Sequence, residues 1–326
     1  MLFLNRDKSV PTIGRSLMTK YRRTASASPA QRITAAIIEK LEQGTKPWVK
    51  PWRGVPVSRP LRSCGTPYRG MNTFWLWMVA DGCGYASPYW MTYRQCQALG
   101  GQVRKGEKST MAIFYKSYTK EVQNADGEAD FENRRVLKAY AVFNADQCDG
   151  LPALYHPKPL IAALEPKGRE DHLDAFFAEI GADLRHHGAQ AYYEPLRDRV
   201  TMPPAELFEA YDHYYATLAH ELSHWTGHSS RLDRDLKNRF GSDAYAAEEL
   251  IAELSSAILG AELGLPVTHL DHHASYIASW LEMLKSDERA ILTAAAKAEE
   301  AASLLLELGG HQSRESEADV DLADAA

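Results

Sequence analysis

Hydrophobic positions in the C-terminal half of the chain recur at helical spacing. Between residues 206 and 224, apolar side chains follow one another at steps of three or four, and no proline or glycine interrupts them. The positions that make this face are Leu207, Tyr211, Tyr214, Leu218 and Leu222. Gly227 then supplies a stop. The pattern predicts an amphipathic helix that ends shortly after residue 224.

A second apolar stripe predicts a helix at about 243–263, ended by Gly264 and Pro266. Leu250, Ile251, Leu254 and Ile258 are expected to face a core, while glutamates occupy other faces. Weaker patterns predict the remaining elements. They are helices at 29–43 and 170–184, strands at 113–115 and 139–143, a hairpin at 190–202 with its turn at 195–198, and one or two helices at 280–308.

The first of these helices contains the run His220-Glu221-Leu222-Ser223-His224. Histidines four residues apart lie one turn apart on the same helix face, so both imidazoles can reach one metal ion. The glutamate after the first histidine lies beside that ion, where it can take a proton from water. The motif predicts a zincin-type Zn²⁺ site with His220 and His224 as ligands and Glu221 as general base.

A catalytic zinc site needs a third protein ligand and one position open for water. Gly227 lies where metzincins have a glycine, but Ser230 stands where their third histidine would be. We therefore expect the ligand on the second helix, with Glu249 as first choice. Glu253 is expected to accept a hydrogen bond from a ligating histidine, or to be the ligand itself, and Glu248 is the third option. A solvent-facing acidic stripe is the alternative for all three.

Hydrolysis also needs a group that stabilises a developing oxyanion, and a tyrosine or histidine near the metal is the usual choice. The candidates in this sequence are Tyr215, Tyr245 and His228. The hairpin predicted upstream of the motif could offer an edge strand to an extended peptide, or serve the fold alone.

The net charge of −6 hides a strong asymmetry. Residues 1–120 contain 20 Lys and Arg against 5 Asp and Glu, whereas the remaining 206 residues contain 17 basic and 38 acidic side chains. A basic region in an acidic protein is typical of nucleic-acid binding. The charge pattern therefore predicts a nucleic-acid contact in the front part of the chain.

In this basic region, cations alternate with aromatic side chains. Unpaired bases stack on aromatic rings while cations neutralise phosphates, so the pattern favours single-stranded nucleic acid without sequence specificity. Trp75, Trp77 and Trp90 fit a core position equally well. The predicted contact residues are Lys46, Trp48, Lys50, Trp52, Arg53, Tyr68, Arg69, Asn72, Arg104, Lys105, Lys108 and Lys116.

Together these patterns predict an α+β protein of two domains. A small basic α+β nucleic-acid-binding domain precedes a largely helical zincin-like metallopeptidase domain with a small sheet or hairpin. The predicted segments are a basic disordered extension (1–29), the nucleic-acid-binding domain (30–150), a linker (151–168), the zincin-like domain (169–308) and an acidic disordered tail (309–326).

The cysteines indicate a reducing compartment. Cys64, Cys83, Cys96 and Cys148 have no CxxC spacing, so we expect free thiols in a cytoplasmic protein. The N-terminus has no apolar stretch of signal-peptide length, and no segment approaches a membrane span.

The chain resembles the ArdC antirestriction proteins of conjugative plasmids over about residues 30–265. In the front part the resemblance rests on Tyr68-Arg69-Gly70-Met71-Asn72, Lys105-Gly106-Glu107-Lys108 and Val142-Phe143-Asn144. In the back part it rests on residues 217–228 (TLAHELSHWTGH), Arg231-Leu232, Phe240-Gly241-Ser242 and Glu248-Glu249-Leu250.

The resemblance implies a domain that binds single-stranded DNA joined to a zincin-like metallopeptidase domain. It also implies a bacterial cytoplasmic protein, transferable to the recipient cell, that protects incoming plasmid DNA from host restriction endonucleases. Three hypotheses follow. In the first, the zinc site cleaves a host restriction enzyme or another protein; in the second, zinc only stabilises the fold; in the third, the acidic half acts as a DNA mimic without hydrolysis.

Overall fold

The computed structural model describes residues 27–48, 58–123, 129–157, 171–236, 243–265 and 276–311. These ranges contain eight α-helices and nine β-strands, of which β4 and β5 are long, arranged in three small sheets. The predicted α+β class is confirmed. Within the same ranges, no helix is long and apolar enough to cross a membrane.

The front half begins with a helix whose start is fixed by local chemistry. Ser28 accepts a hydrogen bond from the backbone of Gln31, whose side chain in turn accepts from the backbone of Ser28, and Pro29 occupies the first turn. The elements of this half are α1 (Pro29–Glu42), β1 (Leu61–Arg62), α2 (Met71–Cys83), β2 (Tyr89–Met91), α3 (Tyr93–Ala98), β3 (Gln102–Val103), β4 (Thr110–Gln123), β5 (Ala129–Asn144) and β6 (Cys148–Asp149).

The main sheet of the front half has the strand order β1-β2-β5-β4. Strands β4 and β5 pair along their whole length, from Thr110 opposite Val142 to Gln123 opposite Ala129. Strand β2 joins this pair only at its base, where Trp90 and Met91 lie opposite Asn144 and Phe143. The β4–β5 ribbon therefore extends well beyond the rest of the sheet.

The back half is mainly helical, with one three-stranded sheet. Its elements are α4 (Asp171–Glu179), β7 (Asp183–His186), β8 (Tyr192–Glu194), β9 (Arg199–Met202), α5 (Tyr211–Trp225), α6 (Asp243–Leu263), α7 (Ile277–Ser286) and α8 (Ala290–Leu308). The hairpin expected at 190–202 forms β8 and β9, and β7 pairs in parallel with the free edge of β9.

Several element boundaries differ from the sequence-based expectation. The strands expected at 113–115 and 139–143 extend over Thr110–Gln123 and Ala129–Asn144, because they pair with each other as a long ribbon. The helix expected at 170–184 ends at Glu179, because Gly181 adopts a φ of 75° and turns the chain into β7. The motif helix begins at Tyr211 and not at 206, since residues Ala205–Leu207 form a separate 3₁₀ turn. Leu207 of the predicted stripe is consequently exposed.

The largest hydrophobic core is shared by the two halves. It contains Ile33 and Ile37 of α1, Phe74 and Leu76 of α2, and buried residues of α6, α7 and α8. A buried cation reinforces this contact: Arg59 donates to both carboxylate oxygens of Glu299 at 2.8 Å and to Glu262 at 3.2 Å. The boundary expected between two domains is thus crossed by a continuous core.

A second core lies within the back half, between α4, β9, α5 and the end of α8. All four cysteines are free, and Cys96 and Cys148 are buried. Several expected segments fall outside the described residues, namely most of the N-terminal extension (1–26), much of the linker (158–168) and the acidic tail from residue 312.

Candidate metal centre

Helix α5 brings the two motif histidines together. The Nε2 atoms of His220 and His224 lie 3.2 Å apart. Helix α6 packs against α5, and its Glu249 places Oε2 3.6 Å from His220 Nε2 and Oε1 3.6 Å from His224 Nε2. The three ligand atoms lie within 4.8 Å of one another. Tetrahedral bonds of about 2.0–2.1 Å separate ligand atoms by about 3.3 Å, so these residues fit one divalent ion.

The three groups form a buried and strongly polarised cluster. Burial alone would lower the pKa of His224, but the hydrogen bond to Glu248 and the charge of Glu249 outweigh it and raise that pKa to about 9. Burial also opposes ionisation of Glu249, yet the hydrogen bond from His220 and the charge of His224 lower its pKa to about 2. The geometry therefore favours an ionised carboxylate, as metal binding requires.

The carboxylate that orients His224 is Glu248. His224 Nδ1 donates to Glu248 Oε1 at 3.2 Å, so Nε2 is the ring nitrogen that faces the ligand cluster. Arg234 donates to the two oxygens of Glu248, from Nη2 at 2.8 Å and from Nε at 3.0 Å. Glu248, which was the third option for the ligand, thus accepts the hydrogen bond from a ligating histidine that was expected of Glu253.

The expected role of Glu253 is corrected by its own contact. Lys46 Nζ donates to Glu253 Oε1 at 2.5 Å, and both side chains are more than nine-tenths buried. Glu253 lies one helical turn after Glu249, so its side chain lies beyond the histidines and towards the front half. Lys46 therefore binds a carboxylate within the protein, in contrast to its predicted contact with nucleic acid.

Glu221 lies beside the cluster without belonging to it. It is partly buried, and its charge contributes to the raised pKa values of His224 and Tyr276. The Tyr276 hydroxyl lies 3.2 Å from that of Tyr245, which donates to Glu249. Burial raises the pKa of both tyrosines, so both hydroxyls keep their protons at neutral pH.

Two other candidates for oxyanion stabilisation have different contacts. Tyr215 is fully buried, and its hydroxyl donates to Asp174 on α4. The ring of His228 lies 2.8 Å from the Ser230 hydroxyl and 4.0 Å from a carboxylate oxygen of Asp198. Both side chains thus have partners in the surrounding fold, and the role in oxyanion stabilisation stays a prediction.

Several predicted nucleic-acid contacts are used inside the protein. Trp48 is 2% exposed and packs edge-on against Trp280, with the ring centroids 5.7 Å apart. Tyr68 is buried as well. Asn72 donates to the carbonyl of Ile113 at 2.7 Å and accepts from its amide at 2.8 Å, so it pairs with β4 as a strand would. Sequence could not distinguish these buried polar and aromatic groups from exposed ones.

Other predicted contacts do lie on the surface. Lys105, Lys108 and Lys116 are exposed, and Arg69 is about half exposed. Arg104 is partly exposed but donates to Glu107 at 2.9 Å. Lys50, Trp52 and Arg53 lie outside the described residues. Trp75, Trp77 and Trp90 are buried and belong to the core.

Arg234 and Tyr276 were not identified from the sequence. Neither follows a helical stripe, because Arg234 lies in the loop after α5 and Tyr276 immediately precedes α7. The available signal was weak in both cases. For Arg234 the signal was a cation shortly after the motif, and for Tyr276 it was an aromatic residue at the start of an apolar helix.

Comparison with protein families gives two matches that together span most of the chain. Residues 171–297 match a family of zincin-like metallopeptidases. Residues 27–143 match the N-terminal domain of anti-restriction factor ArdC. The order of the two matches agrees with the order of the two halves of the structure.

Curated relatives extend over both regions. The chain is 43% identical to protein y4eC of Sinorhizobium fredii over 279 residues, which cover 83% of this chain and 89% of that protein. It is 42% identical to a DNA primase TraC of Escherichia coli over 295 residues. That match covers 85% of this chain but only 27% of the primase.

Solved structures match over nearly the same length. The metal-free crystal structure of antirestriction protein ArdC from plasmid R388 is 46% identical, with a TM-score of 0.75, and the match covers 88% of this chain and 100% of that one. Its Mn(II)-bound structure is 45% identical, with a TM-score of 0.72, and the match covers 87% and 98%. The protein therefore belongs to the ArdC family of antirestriction proteins and joins an ArdC-type N-terminal domain to a zincin-like metallopeptidase domain.

Proposed function

We propose that the protein is an antirestriction factor that binds single-stranded DNA and hydrolyses a protein substrate at a Zn²⁺ site formed by His220, His224 and Glu249. The observation that carries the proposal is the position of Glu221. Three other side chains supply the ligand atoms, so Glu221 is left beside them as a base. A zinc site that only stabilised the fold would not need this carboxylate.

Each group at the site would have a separate role in hydrolysis of a peptide bond. A divalent cation bound here would supply Lewis acidity, which acidifies water and polarises a carbonyl group. Glu221 would accept the proton from water and return it to the leaving amine. Tyr245 and Tyr276, both protonated and both close to Glu249, would donate hydrogen bonds to the developing oxyanion.

The test is protection of incoming plasmid DNA from restriction in cells that express Glu221→Gln. We expect protection to fall to background while the purified variant keeps its zinc, because loss of a general base typically slows catalysis by about 10²–10⁴-fold. Glu209→Gln is the matched control, since Glu209 is exposed and precedes α5. His220→Ala should lose the metal.

Full protection by Glu221→Gln with zinc retained would reject hydrolysis and leave a structural metal. The DNA-mimic alternative has little support from the described residues. Glu248, Glu249 and Glu253 are buried, and Glu262 and Glu299 bind Arg59. These charges are neutralised within the protein and do not form an exposed acidic face.

For the DNA contact we propose one face of the β4–β5 ribbon. The register places Phe114 opposite Lys138 and Lys116 opposite Val136, so these four side chains share a face. Both lysines are exposed, and Phe114 packs against Tyr140 with the ring centroids 5.8 Å apart. Cations beside aromatic rings suit phosphates and unpaired bases.

Fluorescence anisotropy with a labelled oligonucleotide tests this surface in the full-length chain. We expect Lys116→Ala with Lys138→Ala to weaken binding and to reduce the salt dependence, by about 0.7 in the logarithmic slope per lost phosphate contact. Lys297→Ala, which removes an exposed lysine from α8, is the control. An unchanged slope in the double variant would place the DNA elsewhere.

A further inference from the structure

The loop after α5 returns across the end of its own helix. The amide of Leu232 donates to Thr226 O at 3.0 Å, and the amide of Arg234 donates to Gly227 O at 2.9 Å. Asp233 between them adopts a φ of 46°. This backbone path brings the Arg234 side chain over Gly227, three residues after the second motif histidine.

Gly227 leaves the space through which Arg234 passes. A Cβ atom at this position would lie 2.9 Å from Arg234 Nη2 and 3.0 Å from Leu236 Cδ2. The backbone of Gly227 does not have a positive φ, so a turn requirement does not explain the glycine. Glycine is required here because a side chain would occupy the space that Arg234 and Leu236 fill.

The guanidinium is held from two sides. Arg234 donates to Ser223 O at 2.6 Å and to Thr226 Oγ1 at 2.9 Å, both at the end of α5. Its two hydrogen bonds to Glu248 reach α6. A planar guanidinium with two parallel bonds fixes a carboxylate in both position and rotation, which an ammonium does not do.

Glu248, held in this way, in turn contacts His224, which is a candidate metal ligand. Its Oε1 atom, which accepts from Arg234, also accepts from His224 Nδ1 at 3.2 Å. Because a carboxylate only accepts hydrogen bonds, Nδ1 must carry the proton. Nε2 is then the ring nitrogen that faces His220 and Glu249, and it would supply its lone pair to a bound metal ion.

We propose that Arg234 is a positioning residue of the metal centre, which acts through Glu248 to fix the tautomer and ring orientation of His224, and that Gly227 exists to admit it. The inference rests on the proposed metal site and names the residues that tune it. Outer contacts of this kind typically change metal affinity by about 10- to 100-fold.

The experiment measures Zn²⁺ affinity of the purified full-length protein by competition with a chromogenic chelator. We expect Arg234→Met to bind Zn²⁺ about 10- to 100-fold more weakly and Arg234→Lys to recover only part of the loss. Gly227→Ala should weaken binding in the same direction. The Co²⁺-loaded variants should show shifted d–d absorption bands, since the orientation of His224 has changed.

Arg231→Met is the matched control. Arg231 lies in the same loop, stacks 3.6 Å from the Trp225 ring centroid and pairs with Asp198, but that carboxylate does not touch a candidate ligand. This variant should lose folding stability and keep Zn²⁺ affinity and the Co²⁺ spectrum. Equal losses of affinity in Arg231→Met and Arg234→Met would show a purely structural role and overturn the inference.

Unchanged affinity and spectrum in folded Arg234→Met would overturn it as well. If Arg234→Met does not fold, Arg234→Lys and Gly227→Ala decide the question in the same two readouts. A wild-type protein that binds no Zn²⁺ would instead reject the metal site itself, so the two failures are distinguishable.

Discussion

Trp48 buries its indole in the contact between the two halves of the chain. It packs against Trp280, and Lys46 Nζ lies 5.8 Å from the same ring of Trp280. Large aromatic side chains in such positions contribute through buried area and through the edge-to-face geometry of the pair. Its energetic role is therefore in folding.

We expect Trp48→Ala to lower the free energy of unfolding by about 3–5 kcal/mol, because the substitution leaves a cavity in a packed core. Urea denaturation followed by circular dichroism measures this. Tyr115→Ala is the control, since Tyr115 is 57% exposed on the ribbon and its loss should change stability by less than about 0.5 kcal/mol. A stable Trp48→Ala protein with weak DNA binding would restore the stacking role.

Helix α6 shows how one amphipathic element serves several purposes. Glu248, Glu249 and Glu253 lie within two turns, yet they contact Arg234, the histidine pair and Lys46 respectively. Small and apolar side chains between them let α6 pack closely against α5, α7 and α8. The helix thus links the metal centre to the front half.

We expect Lys46→Met alone to destabilise the protein by about 3–5 kcal/mol, because it removes the cation that pairs with the buried Glu253 carboxylate. Lys46→Met with Glu253→Gln should recover much of that loss, since neither variant side chain carries a charge. Thermal and urea unfolding of both single variants and the double variant give the coupling energy. Additive effects would contradict a direct interaction.

At the scale of the whole molecule, the shared core makes the two halves dependent on each other. Residues from α1 and α2 pack directly against α6, α7 and α8, and Arg59 joins them through Glu262 and Glu299. Elements that share one core tend to unfold together. A fragment that contained only the front half would expose this core to water.

We therefore expect one cooperative transition in calorimetry of the full-length protein. Arg59→Met should lower the midpoint of the entire transition, because it removes the buried cation that pairs with the partly buried carboxylates of Glu262 and Glu299. Arg69→Met is the control, since Arg69 is about half exposed and lies 3.9 Å from Glu299. Two separate transitions, with only one shifted by Arg59→Met, would indicate independent domains.

In the back half most elements follow from local sequence patterns, and the exception, β7, has a physical cause. Helices α5, α6 and α8 have long apolar stripes, and β8 and β9 follow from alternation around a turn. Strand β7 was missed because its sequence, Asp-Leu-Arg-His, contains one apolar residue and offers no alternation. It forms a strand because the free edge of β9 is available for pairing, and that availability depends on the tertiary structure.

The sequence by itself determined what depends on nearby residues. The spacing of His220 and His224 places both imidazoles on one helix face, and the charge asymmetry locates the basic half. The tertiary structure decided what depends on how elements cross. It brought Glu248 into hydrogen-bond contact with His224, paired Glu253 with Lys46 and buried Trp48. These outcomes follow from packing between residues far apart in the chain, and no local pattern encodes that packing.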